Sequence, residues 1–106
     1  MILQPVFTNC GAVMNQIVTQ HYDYELICED TNLGFTRSNK LVIIQIFQQG
    51  RNNRQKQAVY RALYENLFAS CGLSGEDLIL SCIENTPADW SFGMGEAQFL
   101  TGKLEQ

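Results

Sequence analysis

Three consecutive segments limit the fold more than anything else in the chain. Residues 41–48, LVIIQIFQ, form a nearly continuous β-branched apolar run, the pattern of a strand covered on both faces. Gln45 interrupts that run and needs a hydrogen-bond partner inside the sheet or at a polar interface. Next, Tyr60, Leu63, Tyr64, Leu67, Phe68 and Cys71 recur at helical spacing and mark one apolar face, with Arg61, Glu65 and Asn66 off it. Asn52 and Gln55 are spaced as an N-cap and its reciprocal partner, and Gly72 stands where a helix ends in a left-handed residue. After the turn LSGED, in which Glu76 and Asp77 are expected to solvate the chain reversal, residues 78–83 (LILSCI) read as a second buried strand. Strand, helix and strand with short joints make a βαβ unit, so the two strands are predicted to run parallel through a right-handed crossover.

The flanks are less regular. Residues 15–22, NQIVTQHY, contain a candidate strand at 17–20, followed by the polar connection EDTNLGFTRSNK with its Gly34. MILQPVF suits a strand only at a sheet edge, because Pro5 has no N–H to donate. The tail ENTPADWSFGMGEAQFL is rich in turn formers and predicts a turn at 87–90 and a small terminal strand near 97–100. There is no internal repeat.

A chain of 106 residues has room for a single domain, and 45% apolar content with 10% aromatics argues against disorder. No apolar run reaches the ~18 residues of a membrane span, and the N-terminus lacks a basic leader with an apolar core. A cytoplasmic protein without membrane contact is the expectation. Cys10, Cys28, Cys71 and Cys82 have no CxxC or metal-ligand spacing and are expected to be reduced thiols acting as small buried hydrophobes. His21 stands alone, which leaves too few partners for a histidine-based metal site or a Ser/His/Asp triad. A net charge of −4 argues against nonspecific nucleic-acid binding. Six of the seven basic residues nevertheless fall between Arg37 and Arg61, with no acid among them, so a local anion site stays open.

Two places can carry chemistry. Arg51, Arg54 and Lys56 open the predicted helix. The plain reading is a solvated first turn. The functional one is a carboxylate or phosphate site, made by free helix N–H groups and an arginine just past a strand's C-terminal end. Arg51 is the best candidate. Trp90, Phe92 and Phe99 surround the glycines at 93 and 95, and lie either over a core edge or along a small-molecule pocket. The G-x-G between them is not a dinucleotide fingerprint, since it follows a turn and lacks the third glycine and a subsequent helix. Neither Glu29–Asp30 nor Glu76–Asp77 makes a facing acid/base pair, because adjacent side chains diverge in extended backbone.

Taken together, EDTNLGFTR, LVIIQI, QGRNNRQKQAVYRALYENLFASCGLSGEDL and ENTPADWSFGMGEAQFLTGKL resemble the tautomerase superfamily, in its malonate semialdehyde decarboxylase-like branch. The likeness runs from about residue 15 to 104 and leaves residues 1–14 outside it. It implies an α+β fold of two βαβ units related by a pseudo-twofold axis, assembled as a homotrimer. It also implies a small anionic 3-oxo or 2-oxo acid as substrate, with no cofactor and no metal. Catalysis in that branch uses an N-terminal proline exposed by loss of the initiator methionine. Its ring nitrogen is protonated and polarises the substrate's aldehyde carbonyl, while arginines hold the carboxylate and an apolar wall favours loss of carbon dioxide.

Carried over by position, Arg51 matches a substrate arginine, and Trp90, Phe92, Phe99 and Leu104 match the apolar wall. Gln49 stands where the branch has a second arginine, and Val13 where it has an assisting aspartate. The proline finds no counterpart, as the second residue is Ile2 and Pro5 is internal. The expectation is therefore a single tautomerase-like domain over residues 1–106 with its N-terminal half truncated. Two functional readings follow from the resemblance. One is a decarboxylase-like or tautomerase-like enzyme; the other is an inactive homologue serving as a trimer subunit or small-molecule binder. Because one long helix can cover only one face of the sheet, the other face is predicted to need neighbouring subunits.

Overall fold

Short joints on either side of a long helix force the two apolar runs side by side and in the same direction. The computed structural model of the chain describes residues 16–105. In it β1 (Val42–Gln48) pairs in parallel with β2 (Leu78–Glu84), with Val42 opposite Leu78 and Gln48 opposite Glu84. Between them runs α1 (Asn53–Cys71), 19 residues long. Its start is fixed by a reciprocal cap: Asn52 Oδ1 accepts from the Gln55 N–H at 2.8 Å, and Gln55 Oε1 accepts from the Asn52 N–H at 2.9 Å. It ends at Gly72, whose φ of 69° is a left-handed conformation that costs glycine nothing.

The packing is narrower than the periodicity suggests. Val59, Leu63 and Leu67, four residues apart, are the buried row of α1. Tyr64, Phe68 and Cys71, expected on the same face, are exposed. A two-stranded sheet offers one helix a single row of contact, so the flank of the apolar face overhangs it. The strands themselves are half-buried, not covered on both faces, and Phe47 is 60% exposed. Gln45 is exposed, so its amide is open to solvent and needs no partner inside the sheet. On the covered side, the Tyr60 hydroxyl accepts from the Cys82 N–H at 3.3 Å. A Cα radius of gyration of 16.2 Å stands against about 13 Å for a compact chain of roughly this length.

The segment before β1 is held by carboxylates. Asp77, only 4% exposed, accepts from the Ser38 N–H at 2.7 Å and from the Ser38 hydroxyl at 2.6 Å. Glu76 Oε2 accepts from the Thr36 N–H at 2.7 Å, and the Arg37 guanidinium donates to the Glu76 carbonyl. The Glu76–Asp77 pair thus anchors a distant segment where a solvated turn was expected. Upstream, Asp30 folds the DTNLG loop on itself by accepting from the Leu33 and Gly34 N–H groups.

Three further expectations are corrected. Residues 17–20 form no strand; Ile17 is 94% exposed, and an extended segment gains little without a neighbour to pair with. Instead of a terminal strand at 97–100 there is a one-turn helix, α2 (Gln98–Thr101), which satisfies its backbone locally through Leu100 and Thr101 N–H groups on the Ala97 carbonyl. The cysteines are not core residues either: Cys28 and Cys82 are half-buried and Cys71 is exposed, all as free thiols. Cys10, Val13 and the edge strand expected around Pro5 lie outside the described residues. Among the described residues no helix is long and apolar enough to cross a membrane.

Candidate active site

Parallel strands bring their C-terminal ends to one place, and that is where the candidate residues gather. After β1 the chain turns at Gly50, with φ of 66°, into Arg51 and the cap of α1. The Arg51 N–H donates to Gln48 Oε1 at 3.1 Å. After β2, the Asn85 N–H donates to the Gln48 carbonyl at 2.9 Å, adding one rung to the ladder. The Trp90 indole N–H in turn donates to Asn85 Oδ1 at 2.7 Å. Arg51, in the joint between β1 and α1, and Trp90, beyond β2, are thereby tied to the same strand ends through two amide residues.

From Trp90 the aromatic wall extends by ring contact. Trp90 and Phe92 stack at 5.3 Å with planes 4° apart, and Phe99 meets Phe92 edge-on at 5.6 Å and 82°. The intervening GMG loop is held by Gln98. Its Oε1 accepts from the Phe92 N–H and its Nε2 donates to the Gly93 carbonyl, each at 2.9 Å. Met94 at the tip takes φ of 59°, a left-handed conformation unusual for a side chain other than glycine. Leu104 is tied in only through its backbone, its N–H donating to the Gln98 carbonyl at 3.1 Å, and its side chain stays 43% exposed. The three aromatics therefore form one cluster, and Leu104 stands at its margin.

The electrostatics suit an anion. No acidic residue lies in the first turn of α1, so the Asn52–Gln55 cap at the positive end of the helix dipole brings no negative charge. Arg51, Arg54 and Lys56 add full charges there. On the aromatic side, Asp89 is turned back on Thr86, accepting from its N–H at 2.7 Å and its hydroxyl at 3.0 Å. Those bonds hold the Asp89 carboxyl below the usual range. Helix N–H groups, a guanidinium and a flat apolar wall can together orient a small carboxylate and strip water from it. Elsewhere, His21 is exposed and shares a 2.9 Å hydrogen bond with Thr19.

Gln48, Asn85 and Gln98, which tie the site together, escape a reading of the sequence alone. For Gln48 the available signal is a polar residue closing an apolar strand just before Gly50 and Arg51. For Asn85 it is an amide immediately after the second apolar run.

The chain belongs to the tautomerase enzyme family, whose model matches residues 14–93. It is 52% identical over 89 residues to the protein called Probable tautomerase YrdN of Bacillus subtilis (strain 168), spanning 84% of this chain and 69% of that one. It is 30% identical over 86 residues to Probable tautomerase YusQ of the same organism, spanning 80% and 68%. Among solved structures, malonate semialdehyde decarboxylase, described in wild-type, mutant and inactivated forms, superposes with a TM-score of 0.70 at 43% identity over 81% of this chain and 67% of that chain. FG41 malonate semialdehyde decarboxylase inhibited by 3-bromopropiolate gives a TM-score of 0.74 at 47% identity, over 86% and 70%. The fold is accordingly α+β and tautomerase-like.

Proposed function

We propose that this chain acts on a small 3-oxo or 2-oxo acid as a malonate semialdehyde decarboxylase-like member of its family, without a cofactor. The observation that carries this reading is the convergence of Arg51 and the Trp90–Phe92–Phe99 cluster on one end of the sheet. In a 3-oxo acid, the bond between the carboxylate and the adjacent carbon breaks, its electron pair moves toward the carbonyl to form an enol or enolate, and carbon dioxide leaves. Arg51 and the N–H groups at the start of α1 would hold the carboxylate and fix that bond perpendicular to the carbonyl plane. The aromatic wall is poorly matched to a charged carboxylate and well matched to neutral carbon dioxide, so it favours the product side of the step. None of residues 16–105 is assigned the acid that polarises the carbonyl.

The assay is direct: purified chain with malonate semialdehyde, reading carbon dioxide release. Release that collapses in Arg51→Ala supports the reading; release unchanged by that substitution removes Arg51 from the site. A second reading is favoured by Gln49, the neutral residue that stands where the resemblance implies another arginine. On that reading the chain binds oxo acids without turning them over, and the same experiment gives saturable binding with no gas release.

The half-covered sheet bears on assembly. Phe47 at 60% exposure and an extended radius of gyration support an association of several copies, a homotrimer by the resemblance. Light scattering that returns a stable monomer at micromolar concentration contradicts it.

A further inference from the structure

The two residues joining Arg51 to the aromatic cluster are both carboxamides, and that choice has a visible cost. Gln48 is 7% exposed, and its Oε1 accepts from the Arg51 N–H; Asn85 is half-buried, and its Oδ1 accepts from the Trp90 indole N–H. Both partners can only donate, which fixes the orientation of each amide. The other half of each amide is left over. Among the described residues, Gln48 Nε2 and Asn85 Nδ2 are buried without a hydrogen-bond partner. Leaving such donors unpaired is destabilising. Glutamate and aspartate would accept the same two hydrogen bonds, more strongly, but each would bury an ionised carboxylate whose second oxygen, in the place of the amide nitrogen, meets no donor. The amides hold both donors without placing a buried negative charge at the strand ends.

Charge is the property that separates the two choices. A carboxylate at position 48 would sit three residues before Arg51, hydrogen-bonded to its backbone. A carboxylate at 85 would sit against the indole that begins the apolar wall. Either would repel an incoming anion in surroundings where charge is weakly screened. The other acids beside the site are engaged elsewhere or exposed: Glu84 is exposed at the strand end, Asp89 accepts from Thr86, and Glu96 is paired with Lys103 at 2.7 Å. We propose that Gln48 and Asn85 are neutral positioning residues, which hold the Arg51 backbone and the Trp90 indole by their oxygens while keeping negative charge away from the anion they serve. The inference rests on the anion-site reading of Arg51 given above.

Two measurements on the full chain separate the parts of this proposal. The first needs no ligand: hydrogen exchange of the Arg51 amide and the Trp90 indole N–H, followed by ¹⁵N-resolved NMR. Gln48→Leu should expose the first and Asn85→Leu the second, while Gln48→Glu and Asn85→Asp keep both protected. Equal protection in the leucine variants overturns the positioning role. The second uses malonate, an unreactive dicarboxylate, titrated at low ionic strength. Gln48→Glu and Asn85→Asp should weaken binding by roughly tenfold or more although their exchange protection is retained. Malonate affinity that stays at the unsubstituted level in both acidic variants, with Arg51→Ala still abolishing binding, overturns the neutral-acceptor proposal and leaves the site reading intact. Malonate binding that survives Arg51→Ala overturns the site reading and with it the charge argument; the exchange result then decides the positioning role by itself. A merely structural role predicts the opposite ranking, with the acidic variants indistinguishable from the parent and only the leucine variants impaired.

Discussion

The two ends of the parallel sheet solve the same problem with opposite chemistry. At the N-terminal end, where the chain enters β1, a nearly buried carboxylate, Asp77, grips Ser38 through its N–H and hydroxyl, and Glu76 takes the Thr36 N–H. At the C-terminal end, where β1 hands over to α1, neutral amides grip the Arg51 N–H and the Trp90 indole. Charged acceptors make the stronger hydrogen bonds, so an end concerned only with stability is expected to use them. The end that forgoes them carries Arg51 and a helix whose first turn holds no acid. One end of this sheet holds the chain through carboxylates; on the function proposed above, the other is kept neutral to receive an anion.

The largest expected effect tests the receiving end. Arg51→Ala should lower kcat/KM toward a 3-oxo acid by about 100-fold, equivalent to roughly 2.7 kcal/mol of transition-state stabilisation, with the urea midpoint of unfolding nearly unmoved. A large shift in that midpoint with retained turnover breaks the comparison, because Arg51 would then be a structural residue. Next comes the holding end. Asp77→Ala should destabilise the fold by about 2–3 kcal/mol, since it removes two hydrogen bonds to a charged acceptor and strands the Ser38 donors. Its malonate affinity should stay at the parent's value.

Acid sharpens the same contrast. Hydrogen bonds from the Ser38 hydroxyl and N–H hold the Asp77 carboxyl below its ordinary range, against the opposing effect of burial and with help from Arg37 and Lys40. Folding therefore favours the ionised form. This contribution is fully present above the unfolded carboxyl value, near about pH 4, and is lost as pH falls through the lower folded value. Urea denaturation of the parent should show a stability loss in that window that is reduced in Asp77→Asn. The smallest effect concerns the joint between the two ends. Gly72→Ala meets no neighbouring atom but must take a left-handed φ, and should cost about 1 kcal/mol. A neutral outcome would mean that the end of α1 can relax without disturbing the β2 connection.

The βαβ unit was legible because its signals are local. The strand runs, the Asn52–Gln55 cap and the Gly72 stop are all decided within a few residues, and each is found where the pattern puts it. The failures are those that need the rest of the molecule. Ile17 sits in a strand-like stretch, yet a strand requires an edge to pair with. Residues 97–100 look extendable, but Gln98 is committed to Phe92 and Gly93 and the backbone closes into α2. Asp77 looks like a turn residue because its partner, Ser38, lies 39 positions earlier. Arg51 stood out from its place after a strand and before a helix, and Trp90, Phe92 and Phe99 from their position about the glycines at 93 and 95, as a core edge or a pocket wall; the resemblance chose the wall and added Leu104. Gln48 and Asn85 were invisible, since their importance depends on which donors the fold brings to them.

Trp90 is the chain's single tryptophan, so its emission reports on the receiving end alone. A titration with malonate at low ionic strength should give a saturable change in that emission, and the Arg51→Ala protein should give none. Saturation of equal size and midpoint in both proteins would contradict an anion site built on Arg51.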